Sequence, residues 1–116
     1  MKFDFSVHVL SQAMSLRLKK HAAISGNIAN ADTPGYRPKA VSFEENLQRA
    51  VVQRQTDSLA RVDVKVEDVD DGVPRLDGNS VSMDRQMANL TENATIYQAS
   101  AEFLKKKLGM VKRAIG

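Results

Sequence analysis

The chain has 116 residues, 42% of them apolar and only 5% aromatic, with no Trp and no Cys. That length fits one domain, the shortage of large rings argues against a deep self-sufficient core, and the lack of cysteine excludes thiol catalysis, thiolate metal sites and iron–sulfur clusters. The net charge of +3 is unevenly spread: residues 1–30 carry +3, residues 31–80 carry −3 and residues 81–116 carry +3, an order that suits charge complementarity between copies and equally suits solvated helix faces.

The first five residues, Met1-Lys2-Phe3-Asp4-Phe5, lack the apolar stretch and small-residue cleavage site of a secretory signal, so any export is expected to use a route without one. No apolar run approaches the length of a membrane span. A helix is predicted from about residue 5 to 30. Val7, Leu10, Met14, His21, Ile24 and Ile28 share one face, Arg17 interrupts it, and Leu18 lies nearby to cover the gap. Ala13, Ala22, Ala23 and Ala29 are small enough for close helix approach. Pro34-Gly35 ends the element, because proline cannot continue the backbone bonding and glycine favours a turn.

A shorter helix is predicted from about 43 to 54. Ser42-Phe43-Glu44-Glu45 reads as a capping box, in which the Ser42 hydroxyl and Glu45 carboxylate satisfy free amides, and Leu47 and Val51 supply the apolar face. The stretch Gln53 to Ser58 is polar and weakly patterned and is expected to be mobile. Val62, Val64 and Val66 alternate with Asp63 and Lys65, the period of a strand. Asp70-Asp71-Gly72 is a turn signal, reversing towards Val73 and Leu76, and Asp77-Gly78-Asn79 turns the chain again.

The last third carries the clearest pattern. Met83, Met87, Leu90, Ala94, Tyr97, Ala101, Leu104, Leu108, Val111 and Ile115 alternate steps of four and three, a heptad seam that keeps one apolar stripe facing a partner helix. Ser82 suits the N-cap, Asp84 the first turn, and the lysine-rich last turns the negative end of the helix dipole. Helix is predicted from about 82 to 114. The fold class is therefore mainly α: N- and C-terminal helices paired as an antiparallel coiled coil, with a small, partly β or disordered middle. Three parts are expected, namely 1–42 (helix and turn), 43–80 (middle) and 81–116 (heptad helix).

Sites for chemistry are sparse. His8 and His21 are thirteen residues apart and cannot form the i, i+4 pair of a helical zinc site. The acidic run Glu67 to Gly72 lacks the ligand spacing of a calcium loop. No nucleophile elbow surrounds any serine. No catalytic residue, cofactor or metal is expected. The basic tail, Lys105-Lys106-Lys107 with Lys112 and Arg113, leaves a small nucleic-acid-binding protein as an alternative from another class, although no aromatics interleave it for stacking. The other unusual segment is Asn27-Ile28-Ala29-Asn30-Ala31-Asp32-Thr33-Pro34-Gly35-Tyr36, ten residues dense in turn formers directly after a helix.

This segment strongly resembles the N-terminal signature of the bacterial flagellar rod, hook and hook-associated axial proteins, with Asn27, Ile28, Ala29, Asn30, Thr33, Pro34, Gly35 and Tyr36 in place. The heptad helix is similar to that family's C-terminal segment, and the two regions cover somewhat more than half the chain. Tyr36-Arg37-Pro38-Lys39 leading to Phe43-Glu44 and Leu47, and Leu76 to Val81 followed by Asp84, Met87, Glu92-Asn93 and Tyr97-Gln98-Ala99, look like the proximal-rod branch. Ser82 and Gln86 depart from it, at positions where acidic residues are common. The sibling rod protein FlgC is the nearest alternative within the family.

The resemblance implies a non-catalytic structural subunit of the proximal rod, exported through the flagellar type III apparatus without signal cleavage. It would assemble in the periplasm, be required for motility, and transmit torque from rotor ring to hook. FlgC, the adaptor FliE and the ring protein FliF are the implied partners, with no small-molecule substrate and no nucleic acid. The expected seam joins Val7, Leu10, Met14, Ile24 and Ile28 of the first helix to Met83, Met87, Leu90, Tyr97, Leu104, Leu108, Val111 and Ile115 of the last. The turn residues Asn27 to Tyr36 are expected to wedge between neighbouring subunits.

Overall fold

A computed structural model describes residues 5–54, 56–68 and 81–115 of the chain. Its elements run α1 (Phe5–Ala29), β1 (Lys39–Ser42), α2 (Glu44–Gln53), α3 (Thr56–Ala60), β2 (Lys65–Asp68) and α4 (Met83–Ile115). The fold is mainly helical: α1 packs along α4, and the middle holds one small antiparallel sheet. Hydrogen bonds join Asn27 to Gln86 and Arg17 to Asn93, so position rises along α1 as it falls along α4, which makes the pair antiparallel. At about 1.5 Å per residue the 33-residue α4 is roughly 50 Å long. It dominates a molecule that measures 63 × 24 × 15 Å. Among the described residues no helix is long and apolar enough to cross a membrane.

The middle is held to α1 by a compact apolar cluster. Leu16, Val41 and Phe43 are buried together, with Ala23, Leu47, Val62 and Val64 packed against them. Burying side chains of this size contributes about 1.5–3 kcal/mol each. Leu16 and Ala23 stand seven residues apart, so α1 presents a second apolar face besides the one turned to α4. Nine apolar residues are buried among those described, and only Val7, Leu16 and Ile24 of them lie on α1 and none on α4. The weight of the core therefore sits under the middle segment and not along the helix pair.

Several local expectations are revised. Ser42 does not cap a helix; it ends β1, pairing with Lys65, while Ala40 pairs with Glu67 and Val41 with Val66. The helix then starts one residue later. Phe43 takes the N-cap position without a side-chain bond, its own ring drawn into the core, and its backbone N–H donates to the Glu44 carboxylate at 3.0 Å. The polar stretch from Gln53 to Ser58 holds the end of α2 and the start of α3, and its reward for ordering comes just beyond, at the buried Leu59. The strand expected over Val62 to Val66 begins at Lys65, because Val62 and Val64 serve the core and the ladder partner is β1. The ion pair Lys39–Asp68 closes one end of the ladder. The turns expected at Asp70 to Gly72 and Asp77 to Asn79, and the return through Val73 and Leu76, lie outside the described residues.

Candidate functional site

The turn motif begins inside α1. Asn27 is buried, and its side-chain amide uses its full capacity. Nδ2 donates to the Lys39 carbonyl at 2.8 Å and to Gln86 Oε1 at 3.0 Å. Oδ1 accepts from the Lys39 N–H at 2.8 Å and from the Tyr36 hydroxyl at 3.1 Å. One residue thus ties the end of α1 to the turn, to β1 and to the first turns of α4. Buried polar groups are costly unless satisfied, so this node favours one arrangement of three segments.

The turn itself is built by short-range bonds. Asn30 sends both its backbone N–H and its side-chain amide to the Gly26 carbonyl, at 3.1 and 2.8 Å, closing the C-terminus of α1. Thr33 returns its hydroxyl to Asn30 Oδ1, and the Thr33 and Tyr36 N–H groups bond the Asn30 and Thr33 carbonyls in succession. Gly35 has φ +76, a conformation that glycine adopts without steric cost. Ala31 and Pro38 are buried and Ile28 and Tyr36 half-buried, while Ala29, Asp32, Thr33, Pro34 and Gly35 are exposed. The motif therefore divides into an inward latch centred on Asn27 and an outward tip from Asp32 to Gly35.

A second polar node lies ten residues earlier on α1. Arg17 Nη1 donates to Asn93 Oδ1 at 3.2 Å, and Asn93 Nδ2 donates to the Arg17 carbonyl at 2.9 Å. The guanidinium sits 4.9 Å from the Phe43 ring centroid, a cation–π contact, and 3.7 Å from the Glu44 carboxylate, which Lys20 also meets at 3.1 Å. Burial pushes the Glu44 carboxyl up. The backbone N–H groups of Phe43 and Glu44 and the Lys20 ammonium outweigh that and hold it below its ordinary value. Arg17, which breaks the apolar pattern in the sequence, is the residue where α1, α4 and α2 meet.

Along α4 the face turned to α1 is centred on Gln86 and Asn93, both buried, with Leu90, Tyr97, Ser100 and Leu104 half-buried beside them. Gln86, Asn93 and Ser100 are spaced by seven, a polar file alongside the apolar seam. Of the seam residues, Val7 and Ile24 are buried, and Leu10, Met14, Ile28, Leu90, Tyr97, Leu104 and Val111 are half-buried. Met83, Met87, Leu108 and Ile115 are exposed in the single chain. Phe103 and Met110, which the seam does not include, are also exposed, on the other side of the polar file. Beside the Arg17 node a groove of about 170 Å³ opens between the helices, lined by Leu18, His21, Asn93, Ala94, Tyr97 and Gln98 with Arg17. Among the described residues no cluster of three or more His, Cys, Asp or Glu is placed to hold a metal ion.

Sequence reasoning missed Leu16, Phe43, Gln86 and Asn93. The signal was present for three of them. Leu16 and Ala23 mark a second face on α1 by their spacing, and the polar file repeats with the heptad. Nothing local marked Phe43 as the anchor of the core.

Comparison with known proteins places this geometry in a family. The sequence profile described as flagella basal body rod protein matches residues 8–37, which span most of α1, the Asn27 latch and the turn. Over 125 residues the chain is 30% identical to the flagellar basal body rod protein FlgB of Aeromonas hydrophila, covering 97% of this chain and 94% of that one. FlgB of Escherichia coli (strain K12) is 30% identical over 121 residues, covering 89% and 87%. FlgB of Borrelia hermsii is 29% identical over 113 residues, covering 82% and 84%. With the matches running nearly end to end through both terminal helices and the turn between them, the chain belongs to the FlgB family of flagellar basal body rod proteins.

Proposed function

We propose that this chain is a non-catalytic structural subunit of the flagellar basal-body rod, whose α1–α4 pairs pack side by side into a hollow tube. The family is one of rod components, which assemble with other flagellar basal body proteins. The observation that carries the packing mode is the apolar surface α1 leaves uncovered on α4: Met83, Met87, Phe103, Leu108, Met110 and Ile115 are all exposed in the single chain. An amphipathic helix takes most of its stability from covering such a surface, and neighbouring subunits would do so here.

In this reading residues 1–42 and 81–116 form the axial core, and residues 43–80 form the small middle part on its side. The outward tip from Asp32 to Gly35 touches the neighbouring subunit and sets its stagger, while Asn27, Ile28, Asn30 and Tyr36 hold that tip from within. The neighbours are FlgC above, and FliE and the ring protein FliF below. The subunit reaches the periplasm through the type III export apparatus without signal cleavage and passes torque from the ring towards the hook.

Leu104→Asp tests the packing. It sets a charge on the half-buried line of α4 that faces α1. Basal bodies purified from the variant strain should lack the subunit and the cells should not swim; wild-type swimming with full incorporation overturns the reading.

A further inference from the structure

The end of α4 has a composition that no other described part of the chain shares. From Phe103 to Ile115 it carries Lys105, Lys106, Lys107, Lys112 and Arg113 and no acidic residue. At roughly 100° per residue, Phe103, Leu104, Leu108, Met110, Val111 and Ile115 fall within one arc of about 160°. Lys105, Lys106, Lys112 and Arg113 occupy the opposite arc. Only Lys107 stands among the apolar positions, where a lysine stem can lie along apolar surface while its ammonium reaches past it. Phe103, Leu108, Met110 and Ile115 are exposed, at 63%, 40%, 57% and 65%. The pairing of Arg17 with Asn93 brings Phe5, where the described α1 begins, level with about residue 105, so this stretch runs on past it.

We propose that this basic amphipathic end of α4 binds an anionic phospholipid surface, lying in its plane with Phe103 and Met110 turned towards the acyl chains and the lysines on the headgroup phosphates. Charge favours lipid over a second copy of the chain. Among the described residues, α1 carries Arg17, Lys19 and Lys20 with no acidic residue, and residues 31–68 mix seven acidic residues with six basic ones. Residues 83–102 hold Asp84, Glu92 and Glu102 against Arg85, spread along about 30 Å of helix. None of these offers an acidic face to match five cations. The apolar arc argues against nucleic acid, which would meet the lysines, find no aromatic within the basic arc for stacking, and leave Phe103 and Ile115 in water. An anionic bilayer takes both halves of the helix. No described helix is long and apolar enough to cross a membrane, so the contact is interfacial. It goes beyond the rod reading: the same apolar side chains are there given to neighbours, so lipid would hold the free subunit and assembly would displace it.

The chain has no Trp, so Phe103→Trp supplies a fluorescent reporter without background. Mixed with vesicles of phosphatidylglycerol and phosphatidylcholine at about 0.15 M salt, the purified full-length variant should sediment with the lipid and its emission should shift to the blue. With phosphatidylcholine alone it should do neither. Each cation near an anionic surface contributes about a factor of five in partitioning, so Lys105→Gln combined with Lys112→Gln should weaken binding about 25-fold. Both lysines are exposed, and an unchanged unfolding midpoint shows that the double variant keeps its fold. A wild-type chain left in the supernatant by anionic vesicles overturns the inference, as does undiminished binding by the double variant or sedimentation without the blue shift. Duplex DNA added at the same phosphate concentration should not release the chain from the vesicles, and release overturns the choice of lipid. These measurements use the free chain, so their failure leaves the rod reading standing, whereas absence of the wild-type chain from purified basal bodies overturns that reading alone.

Discussion

The two ends of the helix pair are built on opposite principles. Near the turn motif, α4 is held by hydrogen-bonded polar groups: Asn27 spends all four of its hydrogen-bonding positions within the subunit, and Asn93 bonds Arg17 in both directions. At the far end, from Phe103 to Ile115, α4 carries exposed apolar side chains among lysines, and extrapolating the pairing of Arg17 with Asn93 brings Phe5 level with about residue 105. The difference teaches how a subunit can be specific and incomplete together. Polar nodes select one register for α4 on its own α1, and the uncommitted apolar end leaves burial to be gained on association.

The contrast breaks if stability is not concentrated around the knotted end. Phe43→Ala has the largest expected effect, a loss of about 4 kcal/mol, since the ring anchors the cluster of Leu16 and Val41 and lies under Arg17. Denaturant unfolding of the isolated chain measures it, and a loss below about 1 kcal/mol would remove Phe43 from the core. Asn27→Leu comes next, at about 3 kcal/mol, because it removes four hydrogen bonds from a buried node, those to the Lys39 amide and carbonyl, the Tyr36 hydroxyl and the Gln86 side chain. The same unfolding measurement, with unchanged stability for Phe103→Ser as the control at the open end, sharpens the comparison.

The smallest effect is a pH dependence. The Glu44 carboxyl is held below its ordinary value of 4.5 in the folded chain, so its ionised form favours folding. That contribution is present above the unfolded-state value and is lost as pH falls through the folded one. The side chain is 48% exposed, and water screens its partners, leaving about 0.3 kcal/mol. Glu44→Gln should flatten the stability profile by that amount between neutral pH and pH 3, and a variant with an unaltered acid limb would show that the bonds from the Phe43 and Glu44 N–H groups and the Lys20 ammonium carry no stability.

Both long helices were legible in the sequence to within a residue at each end, with the α4 pattern running from Met83 to Ile115. The turn was legible as well, through Pro34-Gly35 and the positive φ that Gly35 adopts. The Asn27 latch was legible as a motif but not as a mechanism, since its partners Lys39 and Gln86 lie 12 and 59 residues away. The same distance hid β1, whose partner β2 follows 22 residues after it, and hid the use of Phe43 as a core residue where a capping box was expected.

From the sequence alone come the three longer helices, the stop of the first and the family resemblance, though not α3, because periodicity and turn chemistry act between residues a few positions apart. Only the tertiary structure decided how α4 is rotated against α1. A heptad stripe allows a partner on either side, and the choice fell to the demand of Asn27 for Gln86 and of Arg17 for Asn93. Buried polar groups tolerate fewer arrangements than apolar ones, so those two pairs turned part of the apolar seam, Met83, Met87, Leu108 and Ile115, outward from α1.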